Sequence, residues 1–158
     1  MKIYFFHGKE SGPHGSKYQS LATLGEIHSP DFQGMDIWER LEKAVAVTEG
    51  EEDLIVVGSS MGGLLAAMLY ARHPERFRAL VLMAPALHLP EMDDVIDQMP
   101  PAEKVVVFHG RQDDVVPLDP VVEFCARFGV PVEVVEDGHR LQRCHELMLR
   151  AVADFMKD

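Results

Sequence analysis

Short, nearly unbroken apolar runs alternate along this chain with segments whose apolar residues recur every three or four positions. The runs are Ile3-Tyr4-Phe5-Phe6, Leu54-Ile55-Val56-Val57, Ala79 to Ala84, Val105 to Phe108 and Val132 to Val135. They are strand-length and rich in β-branched or aromatic residues, which predicts strands buried on both faces. Residues 24–29 carry a weaker strand signal. Between the runs lie helices. Asp36-Ile37-Trp38-Glu39 reads as a capping box opening a helix with Trp38, Leu41 and Val45 on one face. Met61, Leu64, Leu65, Met68 and Leu69 stand at helical spacing over 60–73, and Arg72 and His73 before Pro74 mark the end of that helix. Asp119 and Pro120 form an N-cap and first-turn pair for a helix with Val121, Phe124, Cys125 and Phe128 facing inward. A closing helix over 144–156 carries Leu147, Met148, Ala151, Val152 and Phe155.

Buried strands separated by helices predict a single α/β domain over residues 1–158. The sheet should be compact, doubly wound and mostly parallel, with helices on both faces and the strand C-terminal ends gathered on one edge. One stretch lacks periodicity. Residues 85–103 hold Pro85, Pro90, Pro100 and Pro101 together with Glu91, Asp93, Asp94 and Asp97. This stretch reads as an excursion over the edge where the strands end, and a plain solvated connection fits it as well.

Composition narrows the function classes. With 158 residues, 47% of them hydrophobic, the chain can bury a sizeable core. It carries 26 acidic against 15 basic residues, a net charge of −11. Such a surface repels phosphate backbones and anionic lipid, so neither nucleic acid nor membrane is an expected partner. No apolar run approaches the length of a membrane span. Met1 to His7 has too short an apolar run for a signal peptide and reads as the first strand. Cys125 and Cys144 form no C-x-x-C pair, so idle buried thiols and a reducing cytoplasm are expected.

The candidate chemistry begins at Gly58-Ser59-Ser60-Met61-Gly62. This G-x-S-x-G falls where a buried strand should turn sharply into a helix, the setting of a nucleophile elbow. Small neighbours let strand and helix approach, and the Ser60 hydroxyl is left at the tip of the sheet beside a helix N-terminus. A serine needs a base, and the base needs an acid to orient it. The sequence supplies both at later strand ends. His109-Gly110-Arg111-Gln112-Asp113-Asp114 follows one strand, and Glu136-Asp137-Gly138-His139 follows the last. Ser60, Asp113 and His139 are therefore the candidate nucleophile, orienting acid and general base. Asp114 is the serious rival to Asp113, because a shift of one residue exchanges them. Asp137 stands too near His139 in sequence to face its ring and suits a turn role.

Of the other histidines, His28 and His73 read as strand-end or helix-end residues, His88 as exposed and His145 as a cap or surface residue. His109 reads as a packing and hydrogen-bonding residue of its turn. The oxyanion donors are assigned to the backbone N–H groups of Met61 and Lys9, the latter in His7-Gly8-Lys9-Glu10-Ser11-Gly12-Pro13. The Lys9 side chain itself reads as solvated. Ser11 to Lys17 lacks the full spacing of a phosphate-binding loop.

Taken in order, His7-Gly8, Gly58-Ser59-Ser60-Met61-Gly62-Gly63, His109-Gly110 with Asp113 and Val116-Pro117, and Gly138-His139 resemble the α/β-hydrolase superfamily over nearly the whole chain. The H-G-x-x-S-x-P first loop resembles, more loosely, the small cap-less bacterial esterases of the YqiA type. The resemblance implies no full cap domain. It also implies hydrolysis of a small-molecule carboxylic ester or thioester through an acyl-enzyme, with no cofactor and no metal. It names no substrate. A non-catalytic binding module on the same scaffold is the alternative from another class, although no triad position is replaced.

Overall fold

The computed structural model describes residues 1–157. In chain order the strands are β1 (Lys2–Phe6), β2 (Ile27–His28), β3 (Leu54–Ser59), β4 (Phe77–Met83), β5 (Val105–Gly110) and β6 (Val132–Val135). The helices are α1 (Ser16–Leu21), α2 (Ile37–Val47), α3 (Met61–Arg72), α4 (Met92–Ile96), α5 (Leu118–Phe128) and α6 (His145–Lys157). The strands form one six-stranded sheet in the order β2-β1-β3-β4-β5-β6, and every pairing is parallel. This is the doubly wound α/β architecture expected from the alternation of runs. The strand order reverses direction between β1 and β3, and such a switch point opens a crevice at the strand C-terminal ends.

The period of two along each strand divides the core into two layers. Leu54 and Val56 of β3 join Leu80, Leu82 and the buried faces of α2, α3 and α5. Ile55 and Val57 join Val81, Met83, Leu21 of α1 and Met148 and Val152 of α6. All four β3 residues are fully buried, each contributing about 1.5–3 kcal/mol of hydrophobic stabilisation. Helix α3 is buried at nearly every position, which explains why it is apolar all round rather than striped.

Local signals set the boundaries. The Asp36 capping box forms in full, with the Asp36 carboxylate accepting from Glu39 N–H and the Glu39 carboxylate from Asp36 N–H. The inward face of α2 differs from the expected one. It is built from Ile37, Arg40, Leu41 and Ala44, whereas Trp38 is 48% exposed. A second correction concerns α5. Pro117 occupies its N-cap and Asp119 lies in the first turn, where its charge meets the helix dipole instead of capping an N–H. Pattern reading also missed α1, and α4 within residues 85–103. That segment starts beside the elbow, where Ala86 N–H donates to Ser60 O at 2.9 Å, and then follows α3. Met92 and Val95 are buried in the α3 layer, Tyr70 Oη donates to Pro101 O, and Arg72 holds both Asp94 oxygens. Among the described residues no helix is long and apolar enough to cross a membrane.

The tightest backbone approach lies where α3 begins. A Cβ on Gly62 would collide with the Phe6 carbonyl and come within 2.6 Å of His7 O. Nothing flexible is available to move aside. Gly62→Ala should therefore lose about 3 kcal/mol or more in urea denaturation. Gly12→Ala would meet only the mobile Gln33 carboxamide, at 3.1 Å, and should change stability by less than about 0.5 kcal/mol.

Candidate active site

Ser60 links β3 to α3 with φ 56° and ψ −116°, a left-handed conformation that a side-chain-bearing residue rarely adopts. The strain is held by four backbone bonds. Ser60 N–H donates to Met83 O at 3.0 Å, and Ser60 O accepts from Gly63, Leu64 and Ala86 at 2.9, 3.2 and 2.9 Å. Gly58 lets the helix sit against the strand, since a Cβ there would lie 2.8 Å from Gly63 Cα.

The other two candidates come from farther along the sheet. β6 lies three places from β3, on the order of 14 Å at the usual strand spacing. The loop after β6 must therefore turn back over the strand ends. Gly110 makes this possible, because a Cβ there would stand 2.7 Å from Gly138 O. The two turns are stitched by Arg111 N–H to Val135 O at 2.8 Å and Gln112 N–H to Asp137 O at 3.1 Å. Asp137 closes its own turn by accepting from Gly138 and Arg143 N–H, each at 2.8 Å. Leu141, at φ 50° and fully buried, anchors the loop in the second core layer.

These constraints bring Ser60, His139 and Asp113 together. His139 Nε2 lies 3.0 Å from Ser60 Oγ, and His139 Nδ1 lies 2.8 Å from Asp113 Oδ2. A carboxylate only accepts, so Nδ1 carries the ring proton and Nε2 is left to accept from the serine hydroxyl. The Asp113 side chain is 1% exposed. Its other oxygen, Oδ1, accepts from Val115 and Val116 N–H, both at 2.8 Å. Burial pushes this carboxyl up. The His139 hydrogen bond and the Val116 and Val115 N–H groups outweigh it and hold the group below the usual carboxylate range. The rival Asp114 is exposed.

His109 is fully buried behind Asp113, with Nε2 3.0 Å from Val116 O and 3.4 Å from Asp113 Oδ2. Burial holds it below the usual imidazole range, and its Nδ1 has no hydrogen-bond partner. His145 Nδ1 meets Ser20 Oγ at 2.9 Å, tying α6 to α1 away from this cluster. Cys125 and Cys144 are free and buried, and burial pushes their thiols up to about 12 and about 11.

The two assigned oxyanion donors lie on adjoining turns. Gly8 abuts the serine, since a Cβ on it would be 3.4 Å from Ser60 Cβ. Neither Met61 N–H nor Lys9 N–H makes a hydrogen bond among the described residues. Sequence reasoning missed the groups that shape the Lys9 turn, above all Arg40, which no motif or periodicity singles out.

A parallel sheet with a strained serine at its switch point, and an imidazole and a carboxylate delivered from later strand ends, defines the α/β-hydrolase architecture. Residues 7–103 match the family model described as the alpha/beta hydrolase fold, and the chain belongs to that family. A protein of the alpha/beta hydrolase superfamily from Xanthomonas campestris pv. campestris is similar, with a TM-score of 0.79 and 26% identity over 99% of this chain and 96% of that one. Est1E from Butyrivibrio proteoclasticus superimposes with a TM-score of 0.78 at 21% identity, covering 98% and 86%. Alpha/beta hydrolase domain-containing protein 10 from mouse gives 0.77 at 19%, covering 99% and 89%. The last two share the fold. No curated protein matches the sequence significantly.

The lowered Asp113 carboxyl makes its stabilising contribution depend on pH. That contribution is complete above the unfolded carboxyl value, about 3.9, and is lost as pH falls through the lower folded value. Urea denaturation of wild type and Asp113→Asn should differ by about 2–3 kcal/mol at neutral pH. The difference should close at acid pH below that range. A gap that stays constant down to about pH 3 contradicts this account.

Proposed function

We propose that this protein is a serine hydrolase that cleaves small carboxylic esters through an acyl-enzyme. The observation that carries this reading is the pair of hydrogen bonds on one imidazole, 3.0 Å to Ser60 Oγ and 2.8 Å to Asp113 Oδ2. In the proposed sequence Ser60 Oγ attacks the ester carbonyl carbon while His139 Nε2 takes the hydroxyl proton. Asp113, already charged and hydrogen-bonded, stabilises the imidazolium that forms. The Met61 and Lys9 N–H groups receive the developing oxyanion. Collapse of the tetrahedral adduct expels the alcohol, which takes the proton back from His139. Water, deprotonated by the same nitrogen, then attacks the acyl-enzyme; collapse of this second adduct breaks the bond to Ser60 Oγ, which takes the proton from His139 as the acid is released.

Several features support a small, uncharged ester. Residues 85–103 contain one five-residue helix packed against α3, too little to enclose a long acyl chain. The net charge of −11 disfavours polyanionic substrates, so simple esters are favoured over thioesters that carry several phosphates. The His7-Gly8-x-x-Ser11-x-Pro13 loop is the basis for grouping it with cap-less esterases resembling the YqiA type.

A fluorophosphonate probe should label wild type and leave Ser60→Ala unlabelled. Turnover of p-nitrophenyl acetate should fall by roughly 10⁶ in Ser60→Ala and by roughly 10⁴ in Asp113→Asn. Acetate and butyrate esters should be cleaved faster than long-chain ones. Silence across the ester panel together with an unlabelled wild type would replace this reading with a binding module on a hydrolase scaffold.

A further inference from the structure

Arg40, in the middle of α2, is 1% exposed. Burying a guanidinium is unfavourable unless its donors are met, and a carboxylate is the usual answer. Here the partners are backbone. Nη1 donates to His7 O at 2.9 Å, Nη2 to Gly8 O at 3.3 Å and Nε to Met35 O at 3.3 Å. The Phe32 ring lies beneath, its centroid 5.7 Å from Cζ. The fork of the guanidinium thus spans two consecutive carbonyls of the turn that follows β1. In an extended strand consecutive carbonyls point in opposite directions, so the fork fixes a departure from strand geometry at this turn.

His7 completes the clamp from the same turn. Its Nε2 accepts from Phe32 N–H at 2.8 Å, which leaves the ring proton on Nδ1, 2.7 Å from Gly8 O. Gly8 O is therefore gripped by His7 Nδ1 and Arg40 Nη2, with the Ser11 hydroxyl at a longer 3.5 Å. Gly8 N–H is occupied as well, by Ser11 Oγ at 3.1 Å. The described residues contain no cis peptide. In a trans peptide the N–H points opposite to the C=O, so fixing Gly8 O toward α2 turns the Lys9 N–H the other way. That N–H has no hydrogen-bond partner among the described residues, and a Cβ on the adjacent Gly8 would lie 3.4 Å from Ser60 Cβ.

We infer that Arg40, acting with His7, is a positioning residue that aims the Lys9 N–H at the oxyanion formed on Ser60. The inference rests on the hydrolase reading above. It explains why a buried cation is paired with carbonyls instead of a carboxylate. The function needed is orientation of a dipole, and a fork that holds two adjacent carbonyls orients the peptide between them.

The experiment compares wild type, Arg40→Lys and Arg40→Gln. It measures thermal stability, p-nitrophenyl acetate kinetics corrected for active sites, and affinity for a trifluoromethyl ketone, which forms a tetrahedral adduct bearing an oxyanion. Folded Arg40→Gln should lose about 10- to 100-fold in kcat, with KM changed less than about threefold. Ketone affinity should fall by a similar factor. Arg40→Lys, whose single ammonium reaches one carbonyl, should lie between. A purely structural Arg40 would lower the melting temperature and leave kcat per folded site and ketone affinity unchanged, and that result overturns the inference. Should Arg40→Gln not fold, Arg40→Lys decides: full kcat in that variant overturns the inference, and a loss in kcat at steady KM supports it. A wild type that is neither labelled by fluorophosphonate nor active fails at the hydrolase reading and removes both. An active, labelled wild type with indifferent Arg40 variants removes the positioning role alone.

Discussion

The backbone of α3 lies against the ends of β1 and β3 with no room for a side chain between them. A Cβ on Gly62 would strike the carbonyls of Phe6 and His7, one on Gly58 the Gly62–Gly63 backbone, and one on Gly63 would lie 2.7 Å from Pro85 Cβ. This contact fixes the direction in which α3 leaves the sheet. It also forces Ser60 into its left-handed conformation, since the chain must reverse within one residue. The strain is sustained because α3 is buried on nearly every side and Ser60 is bonded through both its N–H and its carbonyl. Core packing therefore sets the geometry of the site. The same contact places the turn after β1 beside Ser60, where Gly8 is its neighbour.

What remains is to span the sheet. The imidazole arrives from β6 and the carboxylate from β5, and neither loop is held by its own strand alone. Gly110 permits the close approach of the two turns, Asp137 ties the β6 turn with two N–H groups, and Leu141 anchors it in apolar surroundings. Asp113 is fixed by Val115 and Val116 before it meets His139. Both ends of the imidazole contact are thus preset by the backbone of their own loops.

Features with short-range signatures were legible in the sequence. The elbow at Ser60 is a buried strand, two glycines and an apolar helix within twenty residues, and each signal is local. His139 and Asp113 were legible as polar residues just past strand ends in a parallel sheet. The choice of Asp113 over Asp114 follows from Val115 and Val116 turning back to cap one carboxylate, which pattern reading resolves poorly. Trp38 was inverted, and nothing in the pattern singles out Arg40. Hydropathy assigns a charge to water and an indole to the core. Two of the three carbonyls that receive Arg40 are 32 and 33 residues distant in sequence, and none carries a side-chain signature. Helix α1, with sequence SKYQSL, buries only Leu21, so no periodicity announces it. Asp119 was misplaced as a cap because Pro117, two residues earlier, already sets the start of α5.

Three histidines near this edge show how the same side chain acquires different chemistry from its partners. His7 spends both nitrogens on backbone, Nε2 accepting from Phe32 and Nδ1 donating to Gly8, so it has no capacity left for a substrate proton. His109 points Nε2 at two acceptors, the Val116 carbonyl and Asp113, and its bare Nδ1 faces no hydroxyl. Burial keeps both rings below the ordinary imidazole range, where they serve as neutral struts. His139 differs on two counts. It remains partly open to solvent, and its protonated nitrogen faces a carboxylate held in the charged form. His7, by contrast, lies near the buried Arg40, which with burial disfavours a charge on its ring. Of the three, His139 alone has a ring nitrogen left to accept a proton from a hydroxyl, and the Ser60 hydroxyl stands 3.0 Å from it.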